Sequence, residues 1–310
     1  MSTGLRFRPH GTFTIAQLTD LHWSNGGPAD LATSALAARI LDAERPDLVA
    51  LTGDIIAGKG CPDPAAALRA AVAPVLERGL PWALVFGNHD DEWSLDRGAL
   101  LEVARSCPGC LAEPGPDGVS GVGNYRLLVA DASGAAPAAA LYFLDSGAYA
   151  ATAVGGYDWI RRDQIAWYVE ASRTLAAAVG GPLPALAFLH IPLPEYDEVW
   201  ATQPCVGCKY EPVSGPRVNS GFFAALHEVG EVLGVFAGHD HINDYAGSLH
   251  GIRLCFGRAG GYGTYGREGM ARGARLIRLR QGERAFESWL RLDDGSVIRH
   301  QPEHAPTGRA

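Results

Sequence analysis

Long apolar runs are missing from this 310-residue chain. None reaches the roughly 20 consecutive apolar residues that a membrane-spanning helix needs, which excludes the membrane as a partner. The opening stretch MSTGLRFRPHGTF has two arginines but no apolar block of the kind a secretory leader carries, so the expected location is cytoplasmic. Basic residues are also in short supply. Lys and Arg number 26 against 34 Asp and Glu, a formal charge of -8. That balance argues against a protein that coats nucleic acid through a general positive field. Six cysteines are too few for a disulfide scaffold in a chain of this length. The 39 glycines and 20 prolines make up about a fifth of the residues, below the level of disordered, low-complexity sequence. What the chain does have is a hydrophobic content of 47%, enough for a large core.

Four of the cysteines form two CxxC pairs, Cys107 with Cys110 and Cys205 with Cys208. Two such pairs are the usual ligand set of a structural zinc, although the gap between them is far longer than in a zinc ribbon. A disulfide or redox-sensitive pair, or plain loop thiols, would fit the same letters.

Apolar, strand-like runs alternate with helical stretches, a pattern that favours an α/β arrangement. Residues 13–18, 47–52, 82–87, 140–145, 184–189 and 232–237 read as buried strands. Residues 31–44, 64–77, 94–106 and 161–179 read as helices; the last sets Ile165, Tyr168, Val169, Ser172, Leu175, Ala176 and Val179 on one face. Period-two alternation over 249–256, 274–280 and 283–292 suggests antiparallel strands. No repeat or linker interrupts the chain. A single domain over 1–292 is expected, with a loose polar tail from 293 to 310.

Five of the six buried runs end in residues that bind metals. The first ends in Asp20-Leu21-His22, the second in Asp54, the third in Asn88-His89-Asp90, the fifth in His190 and the sixth in His239-Asp240-His241. Ligands of open α/β sheets lie beyond the carboxyl ends of the strands, so the architecture aims these residues at one place. Any one of them alone has a bland explanation as a cap or turn residue. Extended chain sends residues i and i+2 the same way, which pairs Asp20 with His22 and His239 with His241. Asp240 would then face away and orient a histidine through its free ring N–H.

The five elements, in this order, resemble the signature of the calcineurin-like metallophosphoesterases: D-x-H, G-D, G-N-H-[DE], a lone H and G-H-x-H. The phrases HIPLPEY (190–196), VNSGFF (218–223) and GHDHIND (238–244) further resemble a small one-domain branch related to the purple acid phosphatases. The resemblance spans residues 13 to about 265 and implies a four-layer αββα sandwich of two mixed sheets flanked by helices. One departure matters. Purple acid phosphatases carry an iron-binding tyrosine where this chain has Ala57, and they lack the first histidine, present here as His22. A colourless pair of Mn, Fe(II), Zn or Ni ions suits these imidazole and carboxylate donors better.

Carried over residue by residue, the resemblance gives Asp20, His22, Asp54 and His241 to one ion, and Asp54, Asn88, His190 and His239 to the other. It implies in-line attack of a bridging hydroxide on a small phosphate ester, monoester ahead of diester. His89 would give the leaving oxygen its proton, with Asp90 holding the ring. A nuclease and a non-catalytic scaffold of the same fold are the alternatives. The first is disfavoured by the acidic balance, the second by a full set of ligand positions.

Gly261-Tyr262-Gly263-Thr264-Tyr265-Gly266 formally fits G-x-G-x-x-G, but a strand-like stretch follows where a dinucleotide site needs a helix. A loop rimming the metal cleft is the expectation, with Arg258, Tyr262 and Tyr265 as candidate substrate contacts; a simple turn fits equally well.

Overall fold

Residues 4–59 and 61–306 are described by the computed structural model. Two mixed sheets form. The first joins β1 (Thr12–Leu18), β2 (Leu48–Thr52) and β3 (Trp82–Val85) in parallel, with β11 (Gly273–Arg280), β12 (Phe286–Leu292) and β13 (Val297–Ile298) added antiparallel beyond β1. The second has a parallel centre of β5 (Pro137–Phe143), β6 (Ala185–Phe188), β8 (Val232–Ala237) and β10 (Ile252–Phe256). Antiparallel β4 (Tyr125–Ala130) closes one side. On the other side lie β9 (Ala246–Leu249), β7 (Cys205–Val206) and β14 (Glu303–His304).

Strand parity explains the layers. In β5 and β6 the residues Leu141, Phe143, Leu186 and Phe188 point into the core between the sheets, where they meet Phe13, Ile15 and Leu51. Their neighbours Ala140, Tyr142, Ala185 and Ala187 face the other way. There they pack under α4 (Arg162–Val179), α5 (Glu195–Thr202) and α6 (Phe222–Val229). Helices α1 (Pro28–Glu44), α2 (Pro64–Leu76) and α3 (Arg97–Arg105) pack beside one another on the first sheet. The result is helices, sheet, sheet, helices, as expected. A row of rings runs across the central core, Tyr125 on Phe143, Phe143 on Phe188 and Phe188 on Phe236, with centroids 4.9, 4.9 and 5.4 Å apart.

Three expectations need correction. The single strand over 249–256 is a hairpin: His250 (φ 48) and Gly251 (φ 85) both take the left-handed conformation of a tight turn between β9 and β10. The tail is not loose from 293 onward, because β13 and β14 pair with β12 and β7; residues 307–310 lie outside the described residues. The buried face of α4 is Gln164, Tyr168, Ser172 and Leu175, while Val179 is exposed at its end.

Candidate metal centre

Every strand-end residue singled out in the sequence reaches the carboxyl edge shared by the two sheets. Asp20 and His22 follow β1, Asp54 follows β2 and Asn88 follows β3; His190 follows β6, and His239 and His241 follow β8. The first sheet supplies four and the second supplies three. Gln17 ties the sheets together beneath them, its Nε2 donating to Thr52 Oγ1 at 3.0 Å and to the Ala237 carbonyl at 3.1 Å.

Two donor groups form and share Asp54. Donor atoms of Asp20, His22, Asp54 and His241 all lie within 4.8 Å of one another, and so do those of Asp54, His190 and His239. Asp54 Oδ2 lies 3.5 Å from His22 Nε2 and 3.3 Å from His190 Nε2. Asn88 joins the second group through Oδ1, 3.2 Å from His190 Nε2. All seven residues are buried.

The hydrogen bonds around the groups set which atoms point inward. His190 Nδ1 donates to the Thr52 carbonyl at 2.8 Å, which turns Nε2 inward, and against the effect of burial the Asp54 carboxylate beside it raises the ring to about 9. His241 Nδ1 is met by Thr264 Oγ1 at 3.0 Å and the Tyr265 carbonyl at 3.3 Å, which turns its Nε2 inward. His239 is reversed. Its Nδ1 faces His190 Nε2 at 3.2 Å, and its buried Nε2 has no hydrogen-bond partner among the described residues. Burial pulls His22 down to about 4 and His239 to about 3, which keeps both imidazoles neutral and able to ligate. Burial alone would raise the Asp54 carboxyl, but His190 and His22 hold it well below the usual carboxylate range. Four imidazoles, two carboxylates and an amide oxygen suit two divalent ions of the borderline transition series.

The backbone, however, does not present the ligands by extended-chain parity. Asp20 (φ 54), His22 (φ 47), Asp54 (φ 49) and His239 (φ 78) are all left-handed. Such conformations cost about 1–3 kcal/mol each and persist where the surroundings over-determine them. Glycines make the close approach feasible: a Cβ on Gly87 would lie 2.1 Å from Asp54 Oδ1, and one on Gly53 (φ +86) 2.4 Å from His190 Nδ1.

The neighbours of the ligands do other work than expected. Asp90 does not touch the His89 ring; its carboxylate accepts from the N–H groups of Gly87, Ile56 and Asp54 at 2.7, 2.9 and 3.0 Å, clamping the G-D and G-N-H loops together. Burial and the charge of Asp54 push Asp90 up to about 7. The His89 ring is held by Glu92, whose Oε2 lies 2.8 Å from Nδ1. Asp240 faces away but orients no histidine; it accepts from Asn243 Nδ2 at 2.9 Å and Ser214 N at 3.2 Å. Glu92 and Tyr149 escaped the sequence reading. Only the three-residue step from His89 to Glu92 hinted at the first, and nothing local marks the second.

Of the candidate substrate contacts, Tyr265 stacks on His241, with centroids 4.1 Å apart. Tyr262 sits further out and donates to Asp293 at 2.6 Å. Arg258 is buried, its Nη1 paired with Asp244 and its Nε donating to the Ala271 carbonyl at 2.7 Å. The CxxC pairs do not meet in a shared donor group among the described residues, and all four sulfurs are free thiols. Cys110 bridges to Trp82 beside the first sheet, whereas Cys205 begins β7 in the second.

No helix is long and apolar enough to cross a membrane among the described residues. Residues 13–243 match the family described as calcineurin-like phosphoesterase. The chain is 35% identical to the "Probable inactive purple acid phosphatase 29" of Arabidopsis thaliana, over 94% of its own length and 85% of the relative's. It is 37% identical to "Phosphatase DCR2" of Saccharomyces cerevisiae, over 91% of its length and 54% of that protein's. Among solved structures it resembles a dimetal phosphatase from Danio rerio, with TM-score 0.58 and 16% identity over 94% of this chain and all of that one. A purple acid phosphatase from yellow lupin matches in fold at TM-score 0.58 and 14% identity, over 97% of this chain and 55% of the other. The chain therefore belongs to the calcineurin-like phosphoesterase family, on the branch related to the purple acid phosphatases.

Proposed function

We propose that the protein hydrolyses phosphate esters, monoesters ahead of diesters, at a centre of two divalent cations. The observation that carries this reading is the pair of donor groups that meet at Asp54. Asp20, His22, Asp54 and His241 would hold one cation, and Asp54, Asn88, His190 and His239 the other. When bound, such cations supply Lewis-acid charge to phosphoryl oxygens and to water. With only two carboxylates among the donors, the centre keeps net positive charge for an anionic ester and its transition state.

The protein's own contribution is orientation and proton delivery. His190 and His241 are each held at Nδ1 so that Nε2 turns inward. His89 stands beside the ligands, its ring centroid 5.3 Å from that of His22, with its side chain 38% exposed. Glu92 accepts from Nδ1, so Nε2 is the atom that can pass a proton to the leaving oxygen. Some plant relatives carry the word inactive in their names, but every ligand position of the signature is filled in this chain.

The test is an assay after reconstitution with Mn, Fe, Zn or Ni, comparing p-nitrophenyl phosphate, its bis-aryl diester and cyclic nucleotides. Turnover, fastest on the monoester, is expected. A metal-loaded protein that cleaves none of them overturns the reading in favour of a scaffold.

A further inference from the structure

Glu92 joins two parts of the site that are separate in its chemistry. Its Oε2 accepts from His89 Nδ1 at 2.8 Å, and its Oε1 accepts from the Tyr149 hydroxyl at 3.0 Å. The same phenol oxygen accepts from Asn88 Nδ2 at 3.0 Å. Asn88 is thereby fixed with its amide nitrogen outward and its Oδ1 toward His190. A ring with one partner can still pivot about its side-chain bonds; a carboxylate that is itself held at both oxygens removes much of that freedom. Glu92 is only 21% exposed at its side chain, so solvent competes weakly for those oxygens. Tyr149 is anchored in turn by a narrow loop in which Ala150 N donates to the Gly156 carbonyl at 3.0 Å and Asp158 N to the Ala148 carbonyl at 3.1 Å.

We propose that Glu92 is a positioning residue: it sets the His89 ring for proton donation, while Tyr149, which it meets through Oε1, braces the amide of Asn88 by its own hydroxyl. The inference rests on the reading of His89 as proton donor. It separates two effects. Loss of Glu92 loosens the donor while leaving all seven metal-binding side chains in place. Loss of the Tyr149 hydroxyl leaves the His89–Glu92 contact intact and frees Asn88.

The experiment measures kcat/KM across phosphate monoesters with progressively poorer leaving groups, together with metal per chain and thermal midpoint. Glu92→Ala should keep its metal and its midpoint, yet lose about tenfold to a hundredfold on an alkyl ester, a share of the usual general-acid contribution, and far less on p-nitrophenyl phosphate. Glu92→Gln, which keeps one acceptor, should fall between Glu92→Ala and the unmodified protein. Tyr149→Phe should lower metal content at limiting metal more than it steepens the leaving-group dependence. Equal losses on alkyl and aryl esters, or loss of metal from Glu92→Ala and Glu92→Gln, would overturn the assignment. His89→Ala is the control that separates the two readings. If it steepens the leaving-group dependence and Glu92→Ala does not, only the role of Glu92 fails. If His89→Ala shows no such steepening, both fail.

Discussion

The Nε2 atoms of His22 and His241 lie 3.2 Å apart, although the residues are 219 positions apart in the chain. His241 gives its Nδ1 side to Thr264 and the Tyr265 carbonyl, so its Nε2 faces His22. Beside them are Asp54 Oδ2, 3.5 Å from His22, and Asp20 Oδ1, 3.3 Å from His241. Four donor atoms converging from three loops could hold a cation, and the fold spends backbone strain at Asp20, His22 and Asp54 to bring them together.

His89→Ala should retain both metals and lose about a hundredfold or more on alkyl phosphates, with a smaller loss on p-nitrophenyl phosphate, whose leaving group needs no proton. Steady-state kinetics on the two substrates checks this. Equal losses would remove His89 from the proton-transfer role.

Arg258 sits in a buried ion pair with Asp244, so Arg258→Ala should act on folding. Stranding a buried carboxylate costs about 3–5 kcal/mol. Denaturant unfolding should show that loss, while KM of the remaining folded protein stays near its original value. A raised KM with unchanged stability would restore the arginine as a substrate contact.

The central buried strands and the polar residues at their carboxyl ends were legible in the sequence because each depends on local pattern, whereas the layer order came from the family resemblance. What was not legible depended on pairing across the fold. Extended-chain parity brought Asp20 and His22 together for the wrong reason, since both are left-handed and held by the loop after β2. The support of His89 was assigned to its neighbour Asp90, but backbone N–H groups claim that carboxylate, and Glu92 takes the ring. Tyr149 comes from a distant loop, which no spacing rule reaches. β13 and β14 are two-residue strands in polar sequence, too short to carry a period.

Gly87→Ala should disrupt the centre while sparing the distant core. The new methyl would meet Asp54 Oδ1 at 2.1 Å and its backbone N at 2.4 Å, so the loop after β3 must move. Metal analysis should show loss of bound ions, with far-ultraviolet circular dichroism unchanged. Full metal occupancy would mean that the loops tolerate the shift.

Glu231 is a buried carboxylate at the start of β8, raised above its ordinary value by burial, with Tyr142 and Ser172 hydroxyls pulling it back only in part. A raised folded-state value means that its stabilising contribution is complete below about pH 4.5 and is lost as pH rises through the folded value. Glu231→Gln should therefore stabilise the protein at pH 8 relative to the unmodified chain, and the difference should shrink at pH 4. Thermal unfolding at the two pH values tests it; a destabilised variant at pH 8 would show that the charge is paired.

The central claim is one centre of two cations joined at Asp54, and metal stoichiometry tests it most directly. Elemental analysis of protein reconstituted with excess Mn or Zn and then freed of loose metal should give two ions per chain, and Asp54→Ala should lose both while still folding. One ion per chain in the unmodified protein, or two retained by Asp54→Ala, would contradict it.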